Sequence, residues 1–95
     1  MVILLSGTEH SDFDRYLVQT VVFNEVAVER LRQLDKWGDQ DHGDDRWLVI
    51  LAEEFGEVAR AIFEQDAPNM KEELIQVMAV CMAWLEKRHE FASIG

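Results

Sequence analysis

The sequence predicts an all-α fold, a helical bundle of about three main helices per chain completed by oligomerisation. Three observations carry that prediction. Apolar residues recur at spacings of three, four and seven over long stretches, the period of an amphipathic helix. One Pro and five Gly among 95 residues leave few breaks in those stretches. The stretch Leu74–Leu85 is apolar at every position except Gln76. A helix buried nearly all round needs neighbours on most sides, more than one short chain readily supplies. We therefore expect a homodimer or a dimer of dimers. A chain of 95 residues and 11.0 kDa has room for a single core, so one domain spans 1–95. Residues 1–11 read as an N-terminal extension and 90–95 as a frayed tail.

The first helix is expected from about Asp12 to Trp37. Phe13, Tyr16, Leu17, Phe23, Val26, Ala27, Leu31, Leu34 and Trp37 supply its apolar stripe. Ser11 or Asp12 can cap its start, and Gly38 stands where a left-handed terminating residue is wanted. Gly38 to Asp45 is a polar, Gly-bounded loop. The second helix follows from Arg46 to about Gln65, capped by Asp44 or Asp45, with a core stripe at Leu48, Leu51, Phe55, Val58 and Ile62. Ala67-Pro68-Asn69 then interrupts the chain. Asn69 with Glu72 three residues on resembles a capping box, which starts the third helix at Met70 and runs it to about His89. Val2–Leu5 reads as a short strand or a hydrophobic flap.

Charge and cysteine content narrow the function. Nine Lys+Arg against 19 Asp+Glu give a formal net charge of −10, which repels nucleic-acid polymers and anionic membranes. A small phosphorylated ligand would need a cation between itself and the protein. The single Cys81 offers neither a disulfide nor a zinc framework. Val2–Leu5 is too short for a signal peptide or a membrane span, so the expected location is the cytoplasm. GxxxxGK[ST], GxGxxG and GxSxG are all missing from the sequence, which leaves P-loop, Rossmann and serine-hydrolase chemistry without support.

The sharpest motif is Glu53-Glu54-Phe55-Gly56-Glu57. At about 100° per residue the three carboxylates fall within an arc of about 100°. Like charges at i,i+4 repel, and a hard divalent cation, Mg²⁺ or Mn²⁺, offsets the repulsion. Alone, the motif also fits a solvated acidic face with Arg60 as a surface partner of Glu57. On the third helix Glu73 and Gln76 share a face one turn apart. Gln76, the lone polar side chain of an apolar run, requires either a core hydrogen bond or a site. Two antiparallel neighbouring helices would bring Glu53, Glu54 and Glu57 opposite Glu73, a convergence that a metal explains.

Taken together, Arg46–Glu64 and Glu72–Val80 resemble the MazG-like all-α nucleoside triphosphate pyrophosphohydrolases, whose pattern is EExxE on one helix and ExxD on the next. Lys36-Trp37-Gly38 with Gln40 is similar to the WGxQ-like stretch of many such proteins. The likeness runs from about Phe23 to Glu86. The family's last acid falls on Gln76, so the second motif here is ExxQ. The resemblance implies Mg²⁺ held by Glu53, Glu54, Glu57 and Glu73; one of them, which we take to be Glu54, instead accepts the proton of the attacking water. It implies a small-molecule nucleotide as substrate. From the residues themselves, Lys36 and Arg60 are the basic candidates to position it, Trp37 either stacks on the base or ends its helix in the core or an interface, and Gln76 ligates the cation or holds a water through its neutral oxygen. A non-catalytic helical dimerisation or nucleotide-sensing protein that keeps the fold is the alternative.

Weaker signals are read conservatively. Asp39, Asp41, Asp44 and Asp45 fail the calcium-loop register, because the sixth position is Asp44 and the twelfth Ile50. His10, His42 and His89 have no ligand spacing. Glu25 and Glu29 read as solvent-facing partners of Arg32 and Lys36. Met78, Cys81, Met82 and Trp84 read as core and subunit interface.

Overall fold

The structure, a computed structural model, describes residues 11–89. The expectations for Val2–Leu5, His10 and the two chain ends lie outside the described residues. Helix α1 spans Asp12–Trp37, α2 spans Asp44–Phe63 and α3 spans Ala67–His89. No described helix is long and apolar enough to cross a membrane.

α1 has the expected ends. The Ser11 hydroxyl oxygen accepts from the Asp14 N–H at 3.0 Å, and the Gly38 N–H donates to the Leu34 carbonyl at 2.8 Å. Gly38 has φ 77° and ψ −178°, a backbone region almost confined to glycine. A Cβ there would meet nothing within 4 Å, so the cost of Gly38→Ala is one of backbone strain alone. We expect a loss of about 1–3 kcal/mol, read in a thermal melt as a drop of about 4–8 °C per kcal/mol.

α2 and α3 begin earlier than the sequence reading placed them. Gly43 takes the N-cap position of α2 without a side-chain bond, which puts Asp44 and Asp45 inside the first turn, where the helix dipole favours them. Asp66, and not Asn69, caps α3: its Oδ1 accepts from the Asn69 N–H at 3.2 Å. Pro68 therefore lies in the first turn, where its missing N–H is not needed. The connection reverses through Gln65 at φ 56°, and the Asp66 N–H closes it on the Ala61 carbonyl at 2.9 Å.

α2 and α3 form an antiparallel hairpin around Trp47, Val80 and Ala83, with Ile50, Leu51 and Trp84 packed against them. α1 packs on α3 as well, but α1 and α2 do not pack on each other. α3 is thus the shared wall of an open arrangement. The radius of gyration, 16.1 Å, exceeds the roughly 12–13 Å of a compact chain this long.

The expected apolar stripes are corrected here. On α2, Val58 is buried and Leu51 packs on the core as expected, but Leu48, Phe55 and Ile62 are 57%, 62% and 58% exposed, and Trp47 and Ala61 are buried instead. On α1, Phe23, Leu31 and Trp37 are exposed, and Val26 is buried together with Arg30 and Gln33. Of the predicted apolar run on α3, Ala79, Val80 and Ala83 are buried but Leu74, Met78 and Leu85 are exposed. Periodicity marks apolar faces without saying which neighbour covers them, and one chain covers only one face of each helix.

Candidate metal and substrate site

Glu54 lies on the buried stripe of α2, seven residues after Trp47 and four before Val58, and is half-buried. Glu53 and Glu57 flank it and are exposed. The hairpin brings half-buried Glu73 of α3 into electrostatic reach. Burial pushes the Glu54 carboxyl above its ordinary range, and repulsion from Glu73, Glu57, Glu53 and Glu29 adds to it. Glu73 is raised in the same way, by burial first and then by Glu57, Glu72 and Glu29. The four predicted glutamates therefore share one field of negative charge.

They do not form a closed cage. Among the described residues, no three His, Cys, Asp or Glu side chains converge closely enough to hold a metal ion. The donor chemistry nonetheless suits a hard cation, since every group is a carboxylate oxygen and the excess charge is uncompensated. Glu29, from α1, is engaged differently. Arg32 donates to it from Nε at 2.9 Å and from NH2 at 2.7 Å, and the Gln33 amide donates at 3.2 Å. The Arg32 hydrogen bond holds the Glu29 carboxyl below its usual range, against the opposing effect of burial.

A cavity of about 440 Å³ lies beside Glu53 and Glu54, in the gap left between α1 and α2. Val80 and Ala83 of α3 line it from below; Arg30, Gln33 and Trp37 line it from α1. Gln40 and His42 of the loop, with Arg46, Trp47 and Ile50 of α2, line the remainder. The loop and the first turn of α2 are each tied to the far end of α3. Lys87 pairs with Asp39 at 3.0 Å, and the Trp84 indole donates to Asp44 Oδ1 at 2.8 Å, with Arg88 also 3.8 Å from Asp44. These aspartates are thus helix-tethering groups. The His42 ring meets Trp47 edge-on at 4.9 Å between centroids.

The residues expected to bind substrate divide. Trp37 lines the cavity, and the Lys36 ammonium sits 4.9 Å over its ring. Arg60 does not line it; its exposed side chain reaches Glu64, 4.0 Å away, and not Glu57. Gln76 lies in a separate groove with Glu25, Glu29, Lys71 and Glu72.

Three cavity residues escaped the sequence reading. Arg30 is 7% exposed and gives Nε and NH2 to the two oxygens of Glu86, both at 3.1 Å. Burying a guanidinium costs several kcal/mol unless paired, and this fork–fork pair meets two of its three nitrogens. Gln33 is buried one turn further on, and Trp47 is 4% exposed with an indole N–H that has no acceptor among the described residues. An unmet buried donor costs about 1–3 kcal/mol. The available signal was positional: Arg30, Gln33 and Trp37 continue the face of Val26 at spacings of four, three and four.

The MazG nucleotide pyrophosphohydrolase domain model matches residues 43–92, just over half of the chain. That segment contains α2 and α3, with all four glutamates, whereas α1 precedes it. Neither the curated proteins nor the solved structures compared with the chain yield a match.

Proposed function

The chain belongs to the MazG nucleotide pyrophosphohydrolase family, and on that premise we propose that it hydrolyses a nucleoside triphosphate between the α and β phosphates. The products are a monophosphate and pyrophosphate, and the cofactor is Mg²⁺, with Mn²⁺ as a substitute. Enzymes of this family generally depend on a divalent metal. The observation that carries the reading is the position of Glu54, half-buried on α2, coupled in charge to Glu73 and at the edge of a cavity large enough for a small ligand.

In this reading Glu53, Glu54, Glu57 and Glu73 would hold the cation. Mg²⁺, when bound, would neutralise charge on the phosphates and lower the pKa of the attacking water. Glu54, the most enclosed of the four, would accept the proton of that water instead of ligating the cation. Trp37 and Trp47 flank the nucleoside, and the ammonium of Lys36, over Trp37, supplies positive charge at the cavity mouth. Phosphoryl chemistry asks mainly for positioning and electrostatics, which such a scaffold can supply. The exposed apolar faces of α2 and α3 support a homodimer or a dimer of dimers, and nucleotide chemistry suits a cytoplasmic location.

The rival reading is a dimerisation or nucleotide-sensing protein that keeps the fold without turnover. It draws on Gln76, neutral where the motif carries an acid and not among the residues that line the cavity. A screen for Mg²⁺-dependent pyrophosphate release over the common and modified nucleoside triphosphates separates the two. Release from at least one nucleotide supports the hydrolase; none from any, with intact nucleotide binding, favours the sensor.

A further inference from the structure

The cavity between α1 and α2 carries opposite charges two helical turns apart. Glu53 and Glu54 border it, and Arg46 lines it seven residues before Glu53, on nearly the same face of α2. That spacing is about 10 Å along the helix axis. The other guanidinium of the cavity, Arg30, is already paired with Glu86 through two hydrogen bonds. Arg46 is different. Its backbone N–H donates to Asp45 Oδ1 at 2.9 Å, but its guanidinium has no carboxylate within ion-pair distance among the described residues. With 19 acidic residues against nine basic ones, carboxylates are in excess, and this Arg still stands without one.

Helix stability does not account for its place. Arg46 is exposed and stands in the first turn of α2, where the helix dipole disfavours a cation. The same turn starts at Gly43 with no side-chain cap. Asp44 and Asp45 share the turn but do not line the cavity. Asp44 is engaged by Trp84 and Arg88, and Asp45 by the Arg46 N–H. Trp47, the next residue, lines the cavity with a buried indole N–H that also lacks an acceptor among the described residues. This part of the cavity thus holds two unmet donors and no carboxylate of its own, a setting that favours an anionic acceptor.

Resting on the hydrolase reading above, we propose that Arg46 is a substrate-binding residue that holds the terminal phosphate of a nucleoside triphosphate. The phosphates next to the bond that breaks lie beside Glu53 and Glu54 with the cation, and the chain runs from there along α2 towards Arg46. The glutamates repel a bare phosphate, whereas the guanidinium attracts one, so the two ends of the chain cannot exchange places. A monophosphate at the glutamates ends short of Arg46. The contact therefore favours the substrate over the monophosphate product.

The test is equilibrium binding, in Mg²⁺, of α,β-imido nucleoside triphosphates, the matching α,β-imido diphosphates and the monophosphates, with adenine, cytosine, guanine and uracil as bases. For the base that binds best, the wild type should hold the triphosphate analogue at least about 10-fold more tightly than the diphosphate, the scale of one charge-assisted hydrogen bond. Arg46→Gln should bring the two to within about twofold and leave the monophosphate unchanged. Arg46→Lys keeps the charge and should retain part of the difference. Arg15→Gln removes the same charge from an exposed position near the start of α1, outside the cavity, and should change none of the three ligands. Helical content and melting temperature check that each variant folds. No binding of any triphosphate analogue by the wild type overturns the proposal. So does a triphosphate preference that survives in Arg46→Gln, or an equal weakening of all three ligands, which would place Arg46 on the nucleoside. A matching loss in Arg15→Gln would reduce the effect to net charge and overturn it as well. Triphosphate selection that depends on Arg46, without cleavage of any of the four nucleotides, defeats the hydrolase reading and leaves the Arg46 contact standing. Cleavage with triphosphate binding unchanged in Arg46→Gln does the reverse.

Discussion

Glu54→Gln should cut pyrophosphate release at least about 10³-fold while raising the melting temperature of the metal-free protein. The two effects have one origin. Glu54 is half-buried among Glu73, Glu57, Glu53 and Glu29, and its pKa is raised first by burial and then by those charges. A carboxyl whose folded pKa exceeds its unfolded value binds protons more readily when folded. Its charge therefore opposes folding fully at neutral pH, and the penalty fades as pH falls through the raised carboxyl range. Glutamine keeps the shape and removes the charge. Relief of about 0.5 kcal/mol, the scale of partly screened like-charge pairs, corresponds to a rise of about 2–4 °C in a domain this small. With millimolar Mg²⁺ the order reverses: the wild type gains stability by mass action and Glu54→Gln gains less. Thermal melts in EDTA and in Mg²⁺, at neutral and mildly acidic pH, provide the check. The same Mg²⁺ shift in wild type and in Glu53→Ala, Glu57→Ala and Glu73→Ala would return the motif to an ordinary solvated acidic face.

The second large effect is on assembly. Leu48, Phe55 and Ile62 line the outer face of α2, and Phe23, Met78 and Leu85 edge an apolar groove between α1 and α3. Covering a large apolar side chain contributes about 1.5–3 kcal/mol, so two such faces on one chain favour a dimer of dimers. Light scattering at micromolar concentration should return a mass near four times 11.0 kDa. Leu85→Asp, or Phe55→Asp on the other face, places an unpaired carboxylate in one interface at a cost of several kcal/mol. Either variant should stop at the dimer, and the double variant should be monomeric. A wild-type mass near 11.0 kDa would refute the assembly.

Much of the fold was legible because local rules dominate in helices. Ser11 and Gly38 bounded α1 where their chemistry said they would. α3 starts at Ala67, three residues before the capping-box pattern places it, because the first turn of a helix tolerates Pro68. EExxE and Glu73 were legible because their spacing and charge stand out along the chain. Arg30 did not stand out: it is charged, yet buried, and its partner Glu86 lies 56 residues away. Periodicity treats such a residue as solvent-facing, so the α1 wall of the cavity emerged only from the packing. The same limit explains α2, where Leu51 and Val58 pack inward as their spacing predicts but Leu48, Phe55 and Ile62, equal to them in period, do not.

That α1 and α2 meet α3 but not each other also bears on the order in which the chain folds. The α2–α3 hairpin is joined by only three residues, Glu64 to Asp66, so its closure costs little entropy and its contacts form early. α1 docks on a surface that must already exist. Val80→Ala, inside the hairpin, should therefore slow refolding with little effect on unfolding. Val26→Ala, in the α1 contact, should speed unfolding and leave the refolding rate almost unchanged. In native-state hydrogen exchange, the amides of α1 should open at lower free energy than those of the hairpin. The cavity is then the last part of the molecule to form and the first to be lost.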